Sequence, residues 1–224
     1  MHNIQLVVFD MAGTVVNEGN VVYKTLQKAI NEKGFDLTLD FVLEHGAGKE
    51  KHQAIKDILA QIDTAVIDSE PIFENFKGLL DDAYDTLKVT SFAGVESLLQ
   101  ELRSKNIKIA LNTGYATPIA ERLLQKMAWV KGQHYDALVT ADDVMLGRPN
   151  PDMIFEAMEL LNVFEPENVL KAGDSIIDIE EGKNAHCGVT VGVTTGAHTR
   201  EQLESAKPTY VLDSLSELLE KLNV

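Results

Sequence analysis

Apolar positions along the chain follow two different periods, and the switches between them outline the architecture. The run from Ile4 to Phe9 is short, nearly all apolar and rich in β-branched side chains, which predicts a strand buried on both faces. From about Asn20 to Leu87 the period is that of helices. Val22, Leu26, Ala29 and Ile30 share one face; Ala54, Ile55, Ile58, Leu59 and Ile62 form a second; Ile72, Phe73, Phe76, Leu79, Leu80 and Tyr84 form a third. No strand is predicted in that stretch. Strands are expected again at Ile107–Leu111, Ala137–Val139, Val169–Ala172, Val189–Val193 and Tyr210–Leu212, separated mostly by amphipathic helices such as Gly94–Ser104 and Pro151–Leu161. Strand-helix alternation implies a mainly parallel sheet with helices on both faces. The expected fold class is therefore α/β: a Rossmann-like core formed by residues 1–16 and 89–224, interrupted after its first strand by an all-helical insertion, residues 17–88.

Composition narrows the class of partner. A chain of 224 residues with 45% hydrophobic content can build a sizeable core. The formal net charge of −15 argues against nucleic acid and anionic membrane as partners, so an anionic ligand must meet local positive charge. Cys187 is the single cysteine, which excludes an internal disulfide and fits a reducing compartment. No apolar stretch approaches the roughly 20 residues that cross a bilayer, and the N-terminus has no signal-peptide pattern. The expectation is a cytoplasmic protein whose oligomeric state, a homodimer included, the sequence leaves open.

In open α/β sheets ligands bind beyond the carboxyl ends of the strands, so the residues just after each strand carry the candidate chemistry. Here they are "DMAGT" with Asp10, "NTGY" with Thr113 and Gly114, "GRPNP" with Arg148, and "AGDSIID" with Asp174, Ser175 and Asp178. Singly, each has a plain alternative: strand-end Asp residues cap helices, "TG" makes turns, and Arg148 suits a surface. As an ordered set they fit phosphoryl transfer. Asp10 and Asp174, with the carbonyl of Ala12, offer hard oxygens to Mg²⁺. Thr113, the Gly114 amide, Ser175 and Arg148 are candidate donors to phosphoryl oxygens, and Asp10 is a candidate nucleophile.

The set "DMAGT … NTGY … GRPNP … GDSIID" resembles the motifs of the haloacid dehalogenase-like (HAD) hydrolase superfamily, over the whole chain and including a helical cap after the first motif. The resemblance implies an aspartyl-phosphate mechanism on Asp10, with Mg²⁺ on Asp10, the Ala12 carbonyl and Asp174, Asp178 orienting the metal site, and Thr113 and Arg148 holding the transferring group. Most phosphatases of that superfamily carry a second Asp where this chain has Ala12. That alanine, with "LNTGYATPIAERLL", "LVTADDVMLGRPNPDMIFEAMELLNV" and "KAGDSIIDIEEGKNA", resembles the phosphonoacetaldehyde hydrolase (phosphonatase) branch. There a cap lysine forms a Schiff base, so that the carbon released from phosphorus leaves as an enamine.

In "HGAGKEKHQAIKDIL" the candidates are Lys51, favoured by the glycine spacing and the helix period, and Lys49, whose register would pair it with His52. In the Lys51 register the family's partner histidine falls on Ala54. The expected substrate is a small phosphonate or phosphorylated molecule. The alternatives are a phosphate monoester phosphatase and a non-catalytic binding protein on the same scaffold. Elsewhere, Trp129 and Phe155 are expected to pack, Asp142 and Asp143 to be solvated or to cap a helix, and "GAHTREQL" from Gly196 to form a surface loop leading into a helix.

Overall fold

The computed structural model describes residues 3–62 and 67–222; residues 63–66 of the helical insertion and both chain ends lie outside the described residues. In chain order the first half comprises β1 (Leu6–Asp10), β2 (Val16–Asn17), α1 (Val21–Asn31), α2 (Leu39–Gly46), α3 (Lys51–Ala60), α4 (Glu70–Thr86), β3 (Thr90–Ser91) and α5 (Val95–Ser104). The second half comprises β4 (Lys108–Asn112), α6 (Thr117–Lys126), β5 (Ala137–Val139), α7 (Asp152–Leu160), β6 (Val169–Gly173), α8 (Ile176–Asn184), β7 (Val189–Val193), α9 (Arg200–Ser205), β8 (Tyr210–Leu212) and α10 (Leu218–Leu222).

The expected α/β sheet is present: six parallel strands in the order β5-β4-β1-β6-β7-β8. β1 is fully buried at the centre of the order. Its alternate side chains go to opposite faces: Val7 and Phe9 join a core cluster with the insertion helices and α5, while Leu6 and Val8 pack with Ile154, Ala157 and Val139 beneath. Register then places the chemistry. Asp10 lies beside Asn112 of β4, and Phe9 beside Ala172 of β6, so the residues that follow β1, β4 and β6 emerge on one edge of the sheet.

The insertion packs α1 against α4 and α2 against α3. On α4 the buried residues Ile72, Phe76, Leu80 and Tyr84 recur every fourth position, and Pro71 sits in the first turn, where its missing N–H costs nothing. One feature was not predicted: β2 and β3 pair antiparallel, Val16 with Ser91 and Asn17 with Thr90, where the chain enters and leaves the helical segment. Two residues per strand are too few for a periodic signal. Trp129 is buried, stacked on His134, whereas Phe155 is 42% exposed on α7, contrary to expectation. Among the described residues no helix is long and apolar enough to cross a membrane.

Candidate active site

Above the carboxyl edge of the sheet, core and insertion close around a chamber of about 20 Å³ lined by Asp10, Ala12, Tyr23, Gly48, Lys51, Thr113, Gly114, Tyr115, Arg148 and Asp174. That is room for roughly one water molecule. Two glycines permit the closeness. Gly13 has φ +83° and a Cβ there would lie 2.3 Å from Asp174 Oδ2; Gly48, at the tip of the insertion loop, has φ +76° and a Cβ would lie 2.7 Å from Ser175 Oγ. The Gly48 amide also donates to the Tyr23 hydroxyl at 3.0 Å, which ties the loop to α1 of the insertion.

That loop delivers Lys51. Glu50 caps α3 by accepting from the His52 and Gln53 amides, both at 2.9 Å, which makes Lys51 the first helical residue. Ala54, Ile55 and Ile58 bury the same helix face and turn Lys51 inward with them. Its Nζ donates to the Lys49 carbonyl at 2.6 Å and stands 5.1 Å and 5.7 Å from the ring centres of Tyr23 and Tyr115. Burial, and then the like charge of Arg148, pull the amine down to about 8, against the attraction of Asp10, Glu50 and Asp174. Lys49 points elsewhere: its ammonium pairs with Asp57. His52 bonds the Ser69 hydroxyl at 3.0 Å and stacks on Phe73, and His45 packs edge-on against Phe41.

On the core side Arg148 is the hub. Its Nη1 donates to Asp10 Oδ1 at 2.7 Å and lies 3.0 Å from Asp178 Oδ1. Its Nη2 donates to the Asn112 carbonyl at 2.9 Å and to Asn112 Oδ1 at 3.0 Å. Thr14 donates its hydroxyl to the other oxygen of Asp10 at 3.2 Å. Thr113 accepts from the Tyr115 amide, which leaves its own O–H free to donate into the chamber. Ser175 is committed differently: it caps α8, and its hydroxyl donates to Asp178 Oδ2 at 2.5 Å.

Carboxylate oxygens of Asp10, Asp174 and Asp178 lie within 4.8 Å of one another. Burial and then the charge of Asp178 push Asp10 up, and burial with the charges of Asp10 and Asp178 pushes Asp174 up. Burial acts on Asp178 too, but Lys171, Arg148 and the Ser175 hydroxyl overcome it and hold that carboxyl at about 2. With Glu181, four buried carboxylates face three buried cations, Arg148, Lys171 and Lys51, so the cluster keeps an excess of negative charge. The donor set, hard carboxylate oxygens around a small space, fits Mg²⁺.

A profile of haloacid dehalogenase-like hydrolases matches residues 7–193. The chain belongs to that family. It is 31% identical over 238 residues to the phosphonoacetaldehyde hydrolase of Bacillus cereus, covering 99% of this chain and 86% of that one. The phosphonoacetaldehyde hydrolase of Parabacteroides distasonis is 30% identical over 273 residues, covering 100% and 98%. A phosphonoacetaldehyde hydrolase like protein from Oleispira antarctica has the same fold, with a TM-score of 0.84 at 23% identity over 98% of this chain and 91% of that one. A hydrolase from Pseudomonas syringae does so with a TM-score of 0.83 at 20% identity, covering 98% of each chain.

Within this haloacid dehalogenase-like hydrolase, several residues of the site were missed from sequence. Lys171 is fully buried in β6 and donates to Asn112 Oδ1 at 2.6 Å, with Asp178 and Glu181 oxygens at 3.0 Å and 3.1 Å. Asn112 in turn donates to both oxygens of Glu181, at 2.9 Å and 3.1 Å. The available signal was a lone lysine inside an apolar strand, and a glutamate three residues after Asp178 on the same helix face. The "GAHT" segment also differs from the expected surface loop. Gly196 lies against Asp174, the Ala197 amide donates to Asp174 Oδ2 at 2.6 Å, and His198 is buried, accepting from the Ile176 amide.

Lys171→Met removes one of the two cations of this buried network and leaves Asp178 and Glu181 under-compensated. The expected loss of stability is about 3–5 kcal/mol. Urea unfolding checks it: the midpoint falls while the slope is unchanged. A midpoint equal to wild type would contradict the network's structural weight.

Proposed function

We propose that this hydrolase cleaves the carbon–phosphorus bond of a small 2-oxo phosphonate of the phosphonoacetaldehyde type, with residues 17–88 acting as a cap over the core. The observation that carries the reading is Lys51: a buried cap lysine with a depressed pKa in the same chamber as Asp10, in a chain whose second position after Asp10 is an alanine. The relatives named phosphonoacetaldehyde hydrolase support it.

In this reading the cap moves off the core to admit the phosphonate, which the present chamber of about 20 Å³ is too small to hold; Thr113, the Gly114 amide and Arg148 then bind the phosphoryl oxygens, and Arg148 shifts from Asp10 toward them. Asp10, Asp174 and Asp178, with the Ala12 carbonyl, hold Mg²⁺, which when bound supplies positive charge to the phosphoryl group. The Lys51 amine condenses with the substrate carbonyl, releasing water and forming an iminium. An Asp10 oxygen attacks phosphorus, the carbon–phosphorus bond breaks, and its electron pair passes through carbon to the iminium nitrogen as an enamine. Protonation at carbon and hydrolysis release the aldehyde. Water then cleaves the phosphoaspartate to inorganic phosphate.

Ala12 fits this chemistry because the iminium accepts the departing electrons, so no acid is needed beside the leaving group. The histidine that the family places near its lysine corresponds to Ala54, which is buried within the insertion. A lysine with a pKa of about 8 compensates, since about half of it is neutral at pH 8 without a dedicated base.

The test is phosphate release from phosphonoacetaldehyde across pH. We expect Mg²⁺-dependent turnover whose kcat/KM rises about tenfold per pH unit below pH 8 and flattens above it, because the neutral amine is the reactive form. No phosphate released at any pH, or a kcat/KM independent of pH between about 6 and 9, would contradict the Lys51 mechanism.

A further inference from the structure

Behind Lys51 the chamber adjoins a second and much larger space of about 480 Å³ between α4 of the insertion and the start of α6. Lys51, Gly114 and Tyr115 belong to both walls, so the two spaces adjoin at the lysine where a carbonyl would be held. The volume lies within the range of small-molecule sites, whereas a dry cavity of about 150 Å³ already holds benzene. Phosphonoacetaldehyde, with two carbons beyond its phosphorus, does not fill it.

The wall specifies what fits. Phe73, Phe76, Leu80, Tyr84, Tyr115 and Ile119 make it aromatic and aliphatic. Its charged residues are engaged with one another or with backbone. Arg122 bonds Asp81 at 2.6 Å and also pairs with Asp85; Lys77 bonds Glu74 at 2.6 Å; Glu50 caps α3. The charges at the rim therefore need no ionic ligand, and the remaining surface offers a hydrophobic contact.

Resting on the reading that Asp10 and Lys51 receive the phosphoryl and carbonyl groups, we infer that the enzyme takes 2-oxoalkylphosphonates, R–CO–CH₂–PO₃²⁻, whose apolar group R lies between α4 and α6. Lys51 forms a ketimine and water leaves; Asp10 takes the phosphoryl group; the carbon–phosphorus electrons form the enamine. Protonation and two hydrolyses give the methyl ketone R–CO–CH₃ and inorganic phosphate, so that one water is consumed overall.

Calorimetric titration of the Mg²⁺-loaded protein with n-alkylphosphonates, from methyl to octyl, reads the cavity without requiring the Schiff base. Affinity is expected to rise about three- to fourfold per methylene over the first several carbons, the value of burying a CH₂ group, and then to level off. Gly78 is an exposed residue of α4 at the rim of the cavity, with no atom within 4 Å of a Cβ placed there. Gly78→Leu also suits a helix interior, and it should lower the ratio of hexyl- to methylphosphonate affinity at least tenfold. An affinity that does not grow with chain length in the wild-type protein, or no binding at millimolar ligand, overturns the inference. Phosphate release from phosphonoacetaldehyde, run in parallel, separates the two readings. Turnover with a flat series sinks the cavity alone, and a rising series without turnover upholds the cavity while sinking the proposed chemistry.

Discussion

Asp10→Asn is expected to reduce phosphate release by about 10⁴-fold or more, because the amide cannot form the acyl phosphate and no other carboxylate replaces it. Asp174 is tied to the Ala197 amide, and Asp178 is bound to Ser175, Lys171 and Arg148. The loss should come without unfolding. Burial and the neighbouring Asp178 raise the Asp10 carboxyl in the folded protein, so above its ordinary unfolded pKa the ionised group weakens the metal-free fold, and at pH 7 that penalty is present. Removing the charge relieves it while Arg148 keeps Asp178 and Glu181. Metal-free Asp10→Asn should therefore unfold at a urea midpoint no lower than wild type at pH 7. Substantial turnover by the variant, or a collapsed midpoint, would contradict this account of Asp10.

Lys51→Met is expected to lower carbon–phosphorus cleavage by about 10³-fold or more, since without the iminium the electrons must pass to the neutral carbonyl as an enolate, a poorer acceptor. Stability should move the other way. The amine titrates at about 8 in the fold against an ordinary 10.5. Its charged form therefore weakens the fold by up to about 3 kcal/mol below pH 8, a penalty that fades as pH rises from 8 to 10.5. Methionine keeps the apolar stem between Tyr23 and Tyr115 without the charge, so the urea midpoint at pH 7 should rise. Lys49→Met, which breaks only the pair with Asp57, should change turnover by no more than a few-fold. Equal losses for the two lysine variants would remove the distinction drawn between them.

The strands were legible because a parallel sheet buried on both faces leaves nearly continuous apolar runs, and β1 and β7 are such runs. From that order, residues following the strands converge, which is why Asp10, Thr113 and Asp174 could be named together without coordinates. Choosing between Lys49 and Lys51 rested on helix period, and physically the same period buries Ala54, Ile55 and Ile58 on the side that carries Lys51 inward. The polar network escaped because its members come from β4, β6, α8 and the loop before α7, and no local pattern records contacts among Asn112, Lys171, Glu181 and Arg148. The closure of Gly196 and Ala197 on Asp174 escaped for a related reason: a Gly-Ala step between polar residues looks like any exposed turn until its partner is known.

The most direct test of the central claim is borohydride reduction in the presence of phosphonoacetaldehyde, followed by mass mapping of the lysine peptides. The account predicts a two-carbon adduct on Lys51, formed more readily as pH rises toward 8 and absent from Lys51→Met. A protein that releases phosphate from this substrate yet carries no adduct, or carries it on Lys49, would contradict it.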